Sequence, residues 1–123
     1  MDKQRMAKEL YNSANENGFI ETLEAVFGKN FAVRMRFTER VYKASIDDLD
    51  FSVRSSNALK RSGLMTVEDV VDAIATERLM TIRNLGRKSF IEIKTRILKF
   101  GYDNLSDSGK ISFFYDLIER NSY

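Results

Sequence analysis

Two groups of residues carry side chains whose types and spacing suggest binding chemistry. Arg54, Asn57 and Arg61 fall at i, i+3 and i+7, which puts them on one polar face of a helix, opposite Val53, Ser56 and Leu59. Further along, Gly86 stands directly before Arg87, Lys88 and Ser89, and a helical apolar pattern follows at once. These groups suit the capture of anions rather than bond-making. A helix start already carries partial positive charge on its unpaired N–H groups, so cations are out of place there unless an external anion meets them. A glycine before such a start gives the backbone freedom to reach φ > 0 and lets a large ligand approach closely. The first-turn amides, the Lys88 ammonium and the Ser89 hydroxyl can then hold a phosphate. Arg and Asn are side-chain types that read base edges and groove electrostatics. Helix, Gly-containing hairpin and helix with phosphate-facing amides together make a helix–hairpin–helix grip. The competing reading of residues 84–89 is a tight turn, with Ser89 as a helix cap and Arg87 and Lys88 as a solvated edge.

Composition removes most alternatives. The chain has 123 residues with neither Cys nor His, so zinc sites, thiol nucleophiles and Ser-His-Asp triads are excluded, as are disulfides. Asp47, Asp48 and Asp50 are the best acidic cluster. They fit better as the first turn of a helix capped by Ser45, with Asp48 completing a capping box, than as a metal or acid-base site. Gly109-Lys110 has only a superficial likeness to a phosphate loop, because Ile111 stands where Ser or Thr is required. No enzyme activity, cofactor or metal is expected. Hydrophobic residues make up 43% and charged residues 31%, the balance of a globular protein. No apolar run approaches a bilayer span, and residues 1–9 lack the apolar core of a secretion signal, so a cytoplasmic location is expected. Residues 1–50 carry 8 basic and 9 acidic side chains, residues 51–100 carry 10 and 5, and residues 101–123 carry 2 and 4. The positive field therefore belongs to the middle of the sequence, which points to a polyanionic partner.

The elements that must position these side chains read as helices throughout. With six Gly and no Pro, an all-α fold is expected. Met6, Leu10 and Ala14 mark a helix over 2–17 stopped by Gly18, and 19–27 forms a second helix closed by Gly28. Residues 31–37 alternate like a strand, yet Val33, Phe37, Val41 and Ala44 also make a helical stripe; helix is favoured, since little else in the sequence supplies a pairing strand. Ser52 caps a helix over 53–61 that ends at Gly63. Thr66 and Asp69 form a capping box for a helix to about Ala75, with Val67, Val70, Val71 and Ile74 inward. Thr76 caps a short turn containing Leu79, Met80 and Ile82. A long helix over 87–100 buries Phe90, Ile93, Ile97 and Phe100 and stops at Gly101; Met80, Phe90 and Ile93 are core. Ser106 or Ser108 starts a last helix. The expected organisation is an N-terminal helical extension over 1–44, a compact helical domain over 45–103 and a C-terminal helix over 104–123.

The stretch S-I-D-D-L-D-F-S-V-R-S-S-N-A-L-K, residues 45–60, is followed by N-L-G-R-K-S-F-I-E-I-K, residues 84–94. This pair resembles the C-terminal domain of the bacterial RNA polymerase α subunit. The usual pattern there is D-D-L-x-L-(T/S)-V-R-(S/A)-x-N-C-L-K and then N-L-G-(K/R)-K-S-x-x-E-I-K. The likeness covers residues 46–101. It implies a compact helical domain that binds the minor groove of A·T-rich double-stranded DNA and also touches transcription activators and sigma factor. The DNA-facing positions it implies are Arg54, Asn57, Gly86, Lys88 and Ser89, with Ala58 and Glu92 at the margin; Arg87 and Arg61 join them on the residue reading. Ala58 stands where the family commonly has Cys, and Arg83 where a Pro often precedes the Asn. The interval between the motifs is slightly longer, so the activator-facing surface is not carried over to residues 75–78. Residues 1–44 are too few for the polymerase-assembly domain, so a free-standing relative is expected. Those residues leave three roles open: covering the core, pairing two copies as a homodimer, or binding a partner. The alternative function is a protein-interaction adaptor that docks onto RNA polymerase, sigma factor or a regulator without DNA. A helix–hairpin–helix accessory to DNA repair is a third, weaker reading.

Overall fold

A computed structural model describes residues 2–83 and 85–122. The helices are α1 (Lys3–Asn17), α2 (Phe19–Phe27), α3 (Glu39–Tyr42), α4 (Val53–Arg61), α5 (Val67–Ala75), α6 (Arg87–Asp103) and α7 (Asp107–Arg120). Two 3-10 turns, Ile46–Leu49 and Arg78–Thr81, join them. Among the described residues there is no strand, and the fold is all-α as expected. None of their helices is long and apolar enough to cross a membrane. The protein forms two compact units, Met1–Arg34 with Tyr102–Tyr123, and Met35–Gly101.

In the first unit α1 packs against α7 and α2. Asp2 caps α1 by accepting from the Gln4 amide at 3.0 Å. The expected stripe of Met6, Leu10 and Ala14 is only half-buried, and Ala7 is the α1 residue sealed from solvent. Gly18 does end α1: it sits at φ +103, a region L side chains avoid, and its N–H reaches the Ala14 carbonyl. The interior is aromatic. Phe19 stacks on Tyr102 at 4.3 Å between centroids, and Phe113 and Phe114 meet both rings. Burial pushes the Tyr102 phenol well above its ordinary range, with the nearby Tyr11, Asp103 and Asp107 acting the same way. Ser106, not Ser108, caps α7, its hydroxyl accepting from the Gly109 amide at 3.1 Å.

The second unit holds a core of Val41, Ile46, Leu59, Val70, Leu79 and Ile93 with their neighbours. Ser45 and Thr66 form one antiparallel bridge, through Ile46 N–H to the Met65 carbonyl and Val67 N–H to the Ala44 carbonyl, both 3.0 Å. The Thr66–Asp69 capping box is present, and Asp69 also accepts from the Met65 amide at 3.0 Å. Val67, Val70 and Val71 are buried, with Ile74 half-buried against them. The Ser45 hydroxyl caps differently from expectation: it accepts from Asp47 N–H, while the Asp48 amide goes to the Ser45 carbonyl. That is the tighter geometry of a 3-10 turn.

Four expectations are corrected. Residues 31–37 form neither helix nor paired strand. They run extended, with Phe31, Val33, Met35 and Phe37 half-buried and Ala32, Arg34 and Arg36 exposed. Side chains supply the hydrogen bonds a partner strand would give. The Asn121 amide exchanges two 2.9 Å bonds with the Ala32 backbone in the first unit, and the Tyr42 hydroxyl donates to the Met35 carbonyl in the second. Thr76 does not open the next turn; its hydroxyl returns to the Asp72 carbonyl and closes α5, and Glu77 at φ +59 makes the corner. Met80 is 69% exposed, because a 3-10 turn buries Leu79 and sends its successor outward. Gly101 does not stop α6, which runs on to Asp103. Its missing Cβ instead makes room for the Phe37 ring.

Candidate nucleic-acid interface

α4 begins at Ser52, whose hydroxyl accepts from the Ser55 amide at 3.2 Å. The buried face of α4 is Ser55, Ala58 and Leu59. Arg54, Asn57 and Arg61 are exposed, as their spacing requires. Val53 is not on the buried face: at 77% exposure it is the first residue of the helix, ahead of the point where α4 meets the core. Arg61 bends back along its own helix, its Nε donating to the Asn57 carbonyl at 3.3 Å. It lies seven residues beyond Arg54, about 10 Å along the axis. Lys60, on the same helix, is paired with Asp47 at 2.8 Å.

α6 begins at Gly86, whose carbonyl accepts from the Phe90 amide at 3.0 Å. Gly86 is therefore the capping position, and Ser89 sits within the first turn rather than capping it. The amides of Arg87, Lys88 and Ser89 have no acceptor inside the helix. Gly86, Arg87 and Lys88 are exposed and Ser89 is half-buried. The freedom expected of Gly86 is not used for a left-handed turn, since the glycines at positive φ are Gly18, Gly28 and Gly63. An added Cβ at Gly86 would meet nothing within 4 Å, so the surrounding fold leaves space for a side chain there. Asn84 lies outside the described residues.

Glu92 joins the two helix starts. Its Oε1 accepts from the Ser52 backbone amide at 3.0 Å, so a residue in the second turn of α6 closes the entrance to α4. Arg54 lies two residues beyond Ser52, and Lys88 one turn before Glu92. One hydrogen bond thus ties the entrance of α4 to the second turn of α6, although nothing in the sequence spacing links them. Glu92 reads from the sequence as a marginal DNA-facing residue; the structure gives it a backbone partner inside the protein. The double use of Ser52, hydroxyl to its own helix and amide to Glu92, leaves no local sequence signal.

Electrostatics marks the same two starts. α2, α3, α5 and α7 each carry Asp or Glu in the first turn, the usual complement to the helix dipole. α4 and α6, like α1, carry none. At the α4 start the Glu92 carboxylate supplies a negative group from the neighbouring helix, whereas the first turn of α6 carries the cations Arg87 and Lys88 and no acid. Among the described residues no cluster of His, Cys, Asp or Glu could hold a metal ion.

The family model for the C-terminal domain of the alpha subunit of bacterial RNA polymerase matches residues 36–99, which includes both helix starts. The protein belongs to this family. A curated relative, the DNA-directed RNA polymerase subunit alpha of Symbiobacterium thermophilum, is 44% identical over 62 residues, covering 50% of this sequence and 19% of that protein. The match thus spans about a fifth of the relative's length. No solved structure matches. The alpha C-terminal domain family is a non-catalytic part of RNA polymerase, in agreement with the expectation of no enzyme activity.

Proposed function

We propose that the protein binds A·T-rich double-stranded DNA through the paired starts of α4 and α6. The observation that carries this reading is the Ser52–Glu92 hydrogen bond, which ties the start of α4 to the second turn of α6, while neither helix carries an acid in its own first turn. In this reading the first-turn amides of α6, with Lys88 and the Ser89 hydroxyl, take a phosphate. Arg54 enters the minor groove, which is narrow and strongly negative over A·T tracts, and Asn57 faces the groove beside it. Arg87 adds charge at the rim. Glu92 acts by positioning, and Arg61, turned back on Asn57, is peripheral.

The test is a titration of an A·T-rich duplex against a G·C-rich one, with the full-length protein and with Arg54→Ala. The wild-type protein should prefer the A·T duplex. Arg54→Ala should lose about 1–3 kcal/mol of affinity for it and most of the preference. Equal affinity of wild type and variant for both duplexes would sink the reading. Capture of RNA polymerase by a protein that shifts neither duplex would favour the adaptor.

A further inference from the structure

A second basic region lies in the N-terminal half of the sequence. Residues 29–43 carry Lys29, Arg34, Arg36, Arg40 and Lys43 against a single acid, Glu39. Acid-rich stretches flank them on both sides, Glu21 and Glu24 before and Asp47, Asp48 and Asp50 after. All five cations are exposed. Glu39 is taken up by Lys43 at 2.8 Å, and among the described residues Arg34, Arg36 and Arg40 have no ion pair.

The second unit fixes where Arg36 and Arg40 lie. Met35 and Phe37 are half-buried and Val41 is buried in the core, so the arginines between them face outward. Phe37 meets the Tyr42 ring at 5.7 Å and rests against Gly101. Gly101 is near the C-terminal end of α6, fourteen residues beyond Arg87, or about 21 Å along the axis. First-turn amides project along a helix axis, so a phosphate held at Gly86 lies off one end of α6 and the arginines lie near the other.

We propose that Arg36 and Arg40, in the second unit, hold the backbone of a second DNA duplex, so that one copy of the protein bridges two DNA segments. The inference rests on the DNA-binding reading of the α4 and α6 starts. A phosphate backbone fits the surface better than a protein partner does. Protein docking centres on buried apolar anchors, and among the described residues the exposed large hydrophobics are Val26, Val53, Met65 and Met80, all outside residues 29–43. Exposed arginines, Arg36 on extended backbone and Arg40 on α3, need only phosphates to pair with.

The experiment immobilises an A·T-rich duplex on beads, adds the full-length protein, washes, and offers a fluorescent duplex of the same sequence. Wild type should retain the second duplex. Arg36→Gln with Arg40→Gln should occupy the bead duplex as before but retain about tenfold less of the second, through loss of two phosphate contacts. Arg36→Lys with Arg40→Lys, which keeps the charge, should restore most of it. Both positions are exposed, and unchanged helical circular dichroism confirms that the variants fold. Occupancy of the bead duplex without capture of a second overturns the bridging alone, as does equal capture by the glutamine variant. Retention of labelled polyglutamate in place of the duplex assigns the surface to an acidic protein and overturns it too. Failure of wild type to occupy the bead duplex at all removes the underlying reading, and the bridge with it.

Discussion

At the scale of single residues, Gly86 and Gly101 are glycines for different reasons. A Cβ at Gly101 would run into the Phe37 ring, so packing within the unit requires its absence. A Cβ at Gly86 would enter open space, at a backbone angle that any residue adopts. Gly86→Ala therefore separates folding from binding. The fold should lose at most about 1 kcal/mol, the usual cost of Ala at a helix-capping position. Affinity for the A·T duplex should fall at least about tenfold, or 1.4 kcal/mol, because the new methyl stands where the phosphate approaches. Denaturant melts and a binding titration on the same preparation measure both. A variant that binds as wild type does would remove the close approach at Gly86 from the mechanism. The types Arg54, Asn57, Lys88 and Ser89 were legible in the sequence as anion-binding chemistry. The role of Glu92 was not, since a carboxylate one turn into a helix gives no sign that its partner is a backbone amide forty residues away.

At the scale of elements, local rules predicted the helices well where capping chemistry was explicit. The Thr66–Asp69 box, the Ser52 cap and the glycine stop after α1 are hydrogen bonds among near neighbours, and they formed as the sequence indicated. The box also makes a pH prediction. The Met65 amide, then the Thr66 amide and hydroxyl, hold the Asp69 carboxyl below its ordinary value of 3.8, outweighing partial desolvation and aided by Arg78. A carboxyl lowered in the folded state binds its proton more readily when unfolded. Its stabilising contribution is thus complete above the unfolded value and fades as pH falls through the lowered one. The urea midpoint of the wild-type protein should fall as pH drops below about 3.8 and on through the lowered folded value, and Asp69→Asn should flatten that part of the profile. A profile unchanged by the substitution would show that other carboxylates carry the acid sensitivity. Element reading failed where a contact distant in sequence decided the conformation. Residues 31–37 matched two periodicities at once, and Asn121 and Tyr42 satisfy an extended backbone that has no sheet to join.

At the scale of the whole molecule, charge is distributed very unevenly for a protein of net +2. Binding should follow the local field at the helix starts rather than that total. With Arg54 in the groove and Arg87 and Lys88 at the phosphates each displacing about one counterion, log affinity for a single short duplex should fall against log salt with a slope of about −3. Lys88→Ala should bring the slope to about −2. A titration from low to moderate salt measures both, and a slope near zero would rule out phosphate capture as the source of affinity. The two compact units divide the sequence otherwise than a linear reading does. The unit that contains residues 45–101 also takes in residues 35–44, and the C-terminal helix α7 packs with α1. The sequence by itself determined the helical class, most helix ends, the absence of thiol and imidazole chemistry and the residue types and spacing of the groups at Arg54–Arg61 and Gly86–Ser89. Each of these depends on residue type or on neighbours within a turn or two. Tertiary structure decided that Glu92 pins the α4 start, that Phe37 sits on Gly101 and that α6 continues past it. It also decided which alternating segment stays extended. These outcomes depend on which distant surfaces meet, and neither composition nor local periodicity contains that information.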